Sequence, residues 1–316
     1  MDYLMCRRIF VSFLFFICMR PFALLAVAPE EKTESKSLKN IIIDENNQIS
    51  NRIDRAAQRL DLALVGEKAD KSTNHTHVIV RQRLDWKEGG PFTYNPYLDL
   101  RLSLPSLEKK WHLKFTTYDQ DQEERGINRN RLQTSPARQT YAGNLGFFQK
   151  LGNLNTEFQP RVEFRDGLQT SYILKFSTIN PAPHFVFFPE LQLFAKSDQG
   201  VGEFLALNLN IPLYQSLVLA LINEEQYVDQ ENLFTTNSGI RFSHDLGPYI
   251  NHSYSLMFES SGRPTYHLDR YTVTLGFTHK LMKNIIHYTL MPYLAFSREL
   301  NFKGSPGIIL EVSVIF

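Results

Sequence analysis

Histidine and serine are the residues of this 316-residue chain that could do chemistry, and nine histidines are present. His75 and His77 stand two apart, so on a strand both point to one face. Two imidazoles on one face are half of a zinc site, but no carboxylate or third ligand stands at matching spacing. A structural role is the reading for both. Ser243-His244 and His252-Ser253 set a nucleophile type beside a base type. Adjacent strand residues face opposite ways, so neither pair forms a Ser–His couple within its own strand. A couple built across strands is the one enzymatic arrangement left. There is no Gly-rich phosphate loop. The expectation is a protein that is not an enzyme, with no cofactor and no metal.

Charge placement says more than these lone groups. Arg81, Arg83 and Asp85 alternate with apolar residues, as do Asp99 and Arg101. Lys114, Glu157, Arg161, Glu163, Arg165 and Lys175 continue the pattern, and basic residues outnumber acidic ones seven to four in this early part. Glu190, Lys196, Arg241, Glu259, Arg270, Glu299 and Glu311 carry it on. The opposing faces are apolar: Leu98, Leu100, Leu102 and Leu104 in one segment, Phe158, Pro160, Val162 and Phe164 in another.

The elements that must position these charges have period two from His75 onward. Candidate strands are 75–86, 92–104, 111–119, 139–150, 154–166, 169–178, 184–197, 200–211, 214–226, 232–245, 249–260, 266–280, 285–299 and 307–316. That is about 14 strands, or 12 if a hairpin merges, an even number as in single-chain bacterial barrels. Short connections with turn residues (Pro105, Gly152-Asn153, Asn180-Pro181, Gly247-Pro248) alternate with a set that holds the long, charged segment Gln120–Arg138. That segment is expected to be a surface loop. Aromatic residues at strand ends (Trp86, Tyr94, Trp111, Tyr141, Tyr172, Tyr249, Tyr271) suit the two interfaces of a bilayer. Pro96, Pro160 and Pro292 sit on the apolar faces and remove ladder donors, which suggests local bulges.

The last strand, Gly307–Phe316, alternates Ile308, Leu310, Val312 and Val314 against Glu311 and Ser313. Ending on Phe316, it resembles the closing strand of bacterial outer-membrane β-barrels. The resemblance implies that Phe316, Val314, Val312 and Leu310 form the signal read by the barrel-assembly machinery. The other end reads as an export signal over 1–28: Arg7 and Arg8, the apolar run Ile9–Met19, and the small-x-small triplet Ala26-Val27-Ala28. Both cysteines, Cys6 and Cys18, lie within it, so the mature chain has no disulfide framework. The net charge is +1 and becomes about −1 when Arg7, Arg8, Arg20 and Asp2 leave, which gives no case for nucleic acid.

Residues 29–72 form a lead-in. Its first part is charged and reads as flexible. Ile49, Ile53, Ala56, Leu60 and Leu64 recur at three and four over 46–66, which predicts an amphipathic helix stopped by Gly66. Packing on the rim of the barrel is the favoured role, with a lumen plug or an oligomerising helix as alternatives.

The run Val78-x-Val80-Arg81-x-Arg83-Leu84-x-Trp86-x-Glu88-Gly89-Gly90, followed by Pro96-Tyr97-Leu98-Asp99-Leu100-Arg101-Leu102-Ser103-Leu104-Pro105, resembles an uncharacterised group of proteobacterial outer-membrane proteins. The fold class expected for 73–316 is an all-β, antiparallel, up-and-down transmembrane barrel in outer-membrane lipid. Its expected function is a porin-like channel for small polar solutes with a mild anion preference, as monomer or homo-oligomer. Arg81, Arg83, Asp99, Arg101, Lys114, Arg161, Glu163, Arg165 and Lys175 are expected to line the lumen. Two other classes stay open: a structural or surface-binding barrel with a closed, charge-paired lumen, and a barrel enzyme acting on lipid.

Overall fold

A computed structural model describes residues 38–65, 76–102, 111–118, 126, 139–151, 153–165, 167–197, 199–262 and 265–316. The export signal over 1–28 and the first part of the lead-in lie outside them. Fifteen strands follow one helix, α1 (Leu38–Val65). They are β1 (His77–Lys87), β2 (Thr93–Leu102), β3 (Trp111–Tyr118), β4 (Gln139–Leu151), β5 (Leu154–Arg165) and β6 (Gly167–Ser177). Next come the two-residue β7 (Asn180–Pro181), then β8 (Val186–Lys196), β9 (Gly200–Tyr214), β10 (Leu217–Val228) and β11 (Leu233–Asp245). The chain finishes with β12 (Ile250–Ser261), β13 (His267–Leu281), β14 (Ile286–Ser297) and β15 (Gly304–Ile315).

Each strand except β6 pairs antiparallel with the next. Two further pairings close the sheet. β6 pairs with β8 from Ser171↔Lys196 to Ser177↔Glu190, leaving β7 as a short flap on β8. β1 pairs with β15, and Phe316 and Val78 exchange backbone hydrogen bonds of 2.9 and 3.1 Å at the seam. Setting β7 aside, fourteen strands form a closed ring. Closure satisfies every strand edge, which a sheet in a bilayer requires.

The faces are inverted relative to a water-soluble domain. Leu168 is 66% exposed, and Phe158, Val162, Phe164, Tyr172, Val201 and Tyr254 are also exposed on the outer face. Arg83, Asp99, Arg161, Lys175, Glu190, Glu224, Arg241 and Glu311 are buried on the inner one. An apolar exterior around a polar interior is stable only against lipid, so this is an outer-membrane-type barrel. Leu310, Val312 and Val314 occupy alternate positions on the outer face of β15, half-buried by their neighbours.

Two prolines sit in interruptions of the ladder. The β4–β5 pairing skips Pro160 between Asn144↔Arg161 and Phe147↔Phe158. The β13–β14 pairing skips Pro292 between Thr274↔Tyr293 and Phe277↔Leu290. The register is the same on either side, so these are gaps in hydrogen bonding, not the expected bulges. A missing N–H is tolerated by leaving out the bond.

Glycine has a packing role at Gly307. Its partner Tyr293 lays its phenol ring over the glycine, in the space a Cβ would fill. Gly307→Val is therefore expected to lower stability by about 2 kcal/mol through overpacking. Urea unfolding of the refolded barrel measures this, and a Tyr293→Ala background should remove most of the effect.

α1 is longer than its sequence pattern suggests, starting at Leu38 instead of 46. No Gly or Pro interrupts 38–65, and Ile42 and Asn46 extend the same three-and-four spacing toward the N-terminus. Asn46 Nδ2 donates a 2.7 Å hydrogen bond to the Ile315 carbonyl, at the end of the barrel that holds both chain ends. Asn46 and Ala57 are buried, while Ile41 and Ile49 are exposed. The buried stripe is thus rotated from the apolar face read in the sequence, because the polar contact of Asn46 sets the helix orientation.

Candidate functional site: the barrel interior

Each inward charge is placed by strand alternation, and its partner by register. On β1, Arg83 meets Asp85 two residues on, with Nε donating at 2.9 Å and Nη2 at 3.2 Å. Arg81 reaches Glu311 of the neighbouring β15 at 3.5 Å. On β5, Arg161 pairs with Glu163 at 3.0 Å, and Lys175 of β6 pairs with Glu190 of β8 at 3.1 Å. Gln192 donates to the same Glu190 at 2.7 Å. Arg270 of β13 donates through Nε to Glu259 of β12 at 3.1 Å. Two residues apart on one strand, or diagonal across two, is the spacing at which long side chains meet on one face.

The sequence-predicted set is therefore brought onto one face but divided into separate ion pairs. Arg81, Arg83, Arg161, Glu163 and Lys175 each have a partner of opposite charge. Asp99 is buried on the inner face of β2. Arg101 and Lys114 are register partners on β2 and β3, and Arg165 ends β5. Their side chains lie outside the described residues.

Of the segment Gln120–Arg138, one residue is described. Its described residue Gly126 (φ +46°) lies against the carboxylate of Glu224, so closely that a Cβ there would collide with it. Glu224 is on the inner face of β10, buried. In the ring, β10 stands five places from β4 and six from β3, the strands this segment joins. In a fourteen-strand ring that is nearly diametrically opposite, so Gly126 lies against the wall far from the strands its connection joins. Apart from Gly126, the segment expected to be a surface loop lies outside the described residues. A backbone can come this close because glycine carries no side chain and accepts a positive φ.

Glu224 is the hub of the far wall. Asn208 Nδ2 of β9 donates to its Oε1 at 2.9 Å, and Arg241 of β11 interacts with it electrostatically. Sequence reasoning missed it because Asn223, Glu224 and Glu225 are polar in a row, and period two is lost there. Around it the interior has two characters. β6, β8, β9 and β10 add an inward apolar cluster of Ile173, Phe194, Phe204, Ala206 and Val228. β12 to β15 present buried hydroxyls: Ser255, Thr272, Thr274, Thr289, Ser305 and Ser313. Such a wall can exchange hydrogen bonds with a polar solute without presenting net charge.

In Ser243-His244 and His252-Ser253, serine and histidine point to opposite faces of their own strand. Ser243 and Ser253 are register partners, as are His244 and His252 one position along. The serines therefore share the inner face and the histidines the outer one.

No family model and no curated protein matches this chain. Among solved structures, it is similar to the outer-membrane channel DcaP of Acinetobacter baumannii, at 8% identity and a TM-score of 0.48, covering 79% of this chain and 99% of that one. It is also similar to a loop-deletion mutant of OmpT, an outer-membrane protein of Vibrio cholerae (8%, TM-score 0.47, 78% and 100%). The KdgM porin is a third (10%, TM-score 0.36, 75% and 98%).

Proposed function

We propose that this barrel is an outer-membrane channel for small polar solutes, narrowed where Gly126 of the β3–β4 connection lies against Glu224. The observation that carries the reading is the contact of Gly126 with Glu224 in the interior of a fourteen-strand ring. A ring of that size is about 28 Å across at the backbone and leaves about 15 Å between side chains. The chain at Gly126 narrows the passage, and the ionic and hydroxyl walls supply polar contacts along it.

Charge selectivity in this reading is weak. The described arginines and lysines of the early strands have carboxylates within 3.5 Å, so their fields largely cancel. The excess of basic over acidic residues in the early strands, seven to four in the sequence, would give a mild preference for anions. The test is a planar-bilayer recording of the refolded mature chain under a tenfold KCl gradient. A chloride-to-potassium permeability ratio of about 1 to 3 is expected. A clear cation preference, or no conductance from verified folded barrel, overturns the proposal.

A second reading, a structural barrel with a closed lumen, draws on one observation. Arg161 is 2% exposed and Ile309 0%, less than a wide water-filled path would leave them. The same recording separates the two.

A further inference from the structure

The outer face has two aromatic belts, and they differ in chemistry. Near the end away from the chain termini, Phe258, Tyr271, Phe296 and Phe302 cluster on β12, β13, β14 and the turn after β14. Tyr271 stacks on Phe296 at 4.5 Å and on Phe302 at 6.0 Å. At the terminal end, the corresponding belt on β11 to β14 is His244, His252, Phe277, His279 and Tyr288. His244 and His252 are direct register partners, and so are His252 and Phe277. The His252 and Phe277 rings are 5.1 Å apart, and His279 Nδ1 lies 3.1 Å from the Tyr288 hydroxyl oxygen.

The spacing puts the histidines at headgroup depth. Tyr271 and His279 are eight residues apart on β13. At ~3.4 Å per residue and a tilt of ~40°, they are about 20 Å apart along the membrane normal. That is close to the apolar band of an outer-membrane barrel, so each belt meets one interface.

Around the histidines, the outward groups are Leu217 and Leu219 of β10, Phe242 of β11, Ile250 and Tyr254 of β12, and Leu281 and Ile286 at the ends of β13 and β14. His244, His252, His279, Tyr254 and Tyr288 are the titratable members. No outward Asp, Glu, Lys or Arg joins them among the described residues. Asp245 and Lys280 stand at inner-face positions, with Asp245 accepting a 2.7 Å hydrogen bond from Asn251. Protonation of the imidazoles therefore creates positive charge and new donors with no acid on the same face to neutralise them.

We propose that His244, His252 and His279 form a proton-dependent site for the headgroup of an anionic phospholipid in the leaflet at the terminal end. The fold already places lipid against this face, so the open variable is headgroup charge. Neutral, the rings behave as interfacial aromatics. Protonated, they attract a lipid that carries net negative charge, as basic groups near a membrane surface do.

The test uses the full mature chain in nanodiscs, with spin-labelled phosphatidylglycerol and phosphatidylcholine as probes. Selectivity for phosphatidylglycerol should rise about threefold or more between pH 8 and pH 5.5. His244→Gln/His252→Gln/His279→Gln, checked for folding by heat-modifiable gel mobility, should abolish the rise. The corresponding triple arginine variant should hold high selectivity at both pH values. No rise in the parent, or an equal rise in the glutamine variant, overturns the proposal. Loss of the selectivity in millimolar inorganic phosphate at constant ionic strength would also overturn it, in favour of a free-phosphate site.

Discussion

Replacing residues 120–138 with a four-residue turn is expected to raise single-channel conductance at least threefold, because the proposed channel is narrowed at Gly126 of this connection. The other connections at that end are short: 88–92, 229–232 and 298–303 are representative. None has the length to reach the opposite wall. Only the β3–β4 connection does, and Gly126 against Glu224 shows that it arrives. Conductance through a water-filled cylinder scales with open cross-section, so removing this connection has a direct reading. Glu224→Ala in the full-length chain is the companion measurement. It should change conductance less than the deletion, because it leaves the β3–β4 connection at full length. Unchanged conductance in the deletion variant would sink the constriction and leave the passage elsewhere.

Arg83→Ala is expected to cost about 3–5 kcal/mol, the penalty for leaving a buried charge without its partner. Arg83 is 4% exposed, holds Asp85 through two hydrogen bonds, and stands opposite buried Glu311 in the register. Its loss leaves two carboxylates with diminished compensation in a poorly hydrated corner. Arg83→Met with Asp85→Leu removes both charges and should restore most of the stability. Equilibrium urea unfolding in lipid micelles distinguishes these outcomes. A single-variant loss below about 1 kcal/mol would mean that water screens the pair as it does at a surface. That result would place the open path along β1 and β15.

Much of the fold was readable because alternation is a local property. A strand such as 154–166 reports its two faces through Phe158, Val162 and Phe164 against Glu157, Arg161 and Glu163, and the ladder found there runs Leu154–Arg165. The interior site was less legible, since its parts depend on register. Arg161 with Glu163 could be guessed from one strand, but Lys175 with Glu190 needs the β6–β8 closure around β7. Glu224 meeting Gly126 is a contact between distant parts of the chain that no local pattern encodes. The helix showed the opposite weakness. Its periodicity was correct in kind, but the rotation was set by one polar contact, Asn46 to Ile315, outside any hydrophobic pattern.

The seam between Val78 and Phe316 also fixes an order of events. The first strand made has its final neighbour only when the last residue exists, so an incomplete chain always carries two raw edges. Bringing those two residues together costs roughly 5 kcal/mol of chain entropy, recovered only when the last ladder zips. Truncated or stalled products thus gain nothing from partial closure and remain prone to pairing with one another. Closure of the ring waits on β15, because without it β1 and β14 each keep an unpaired edge.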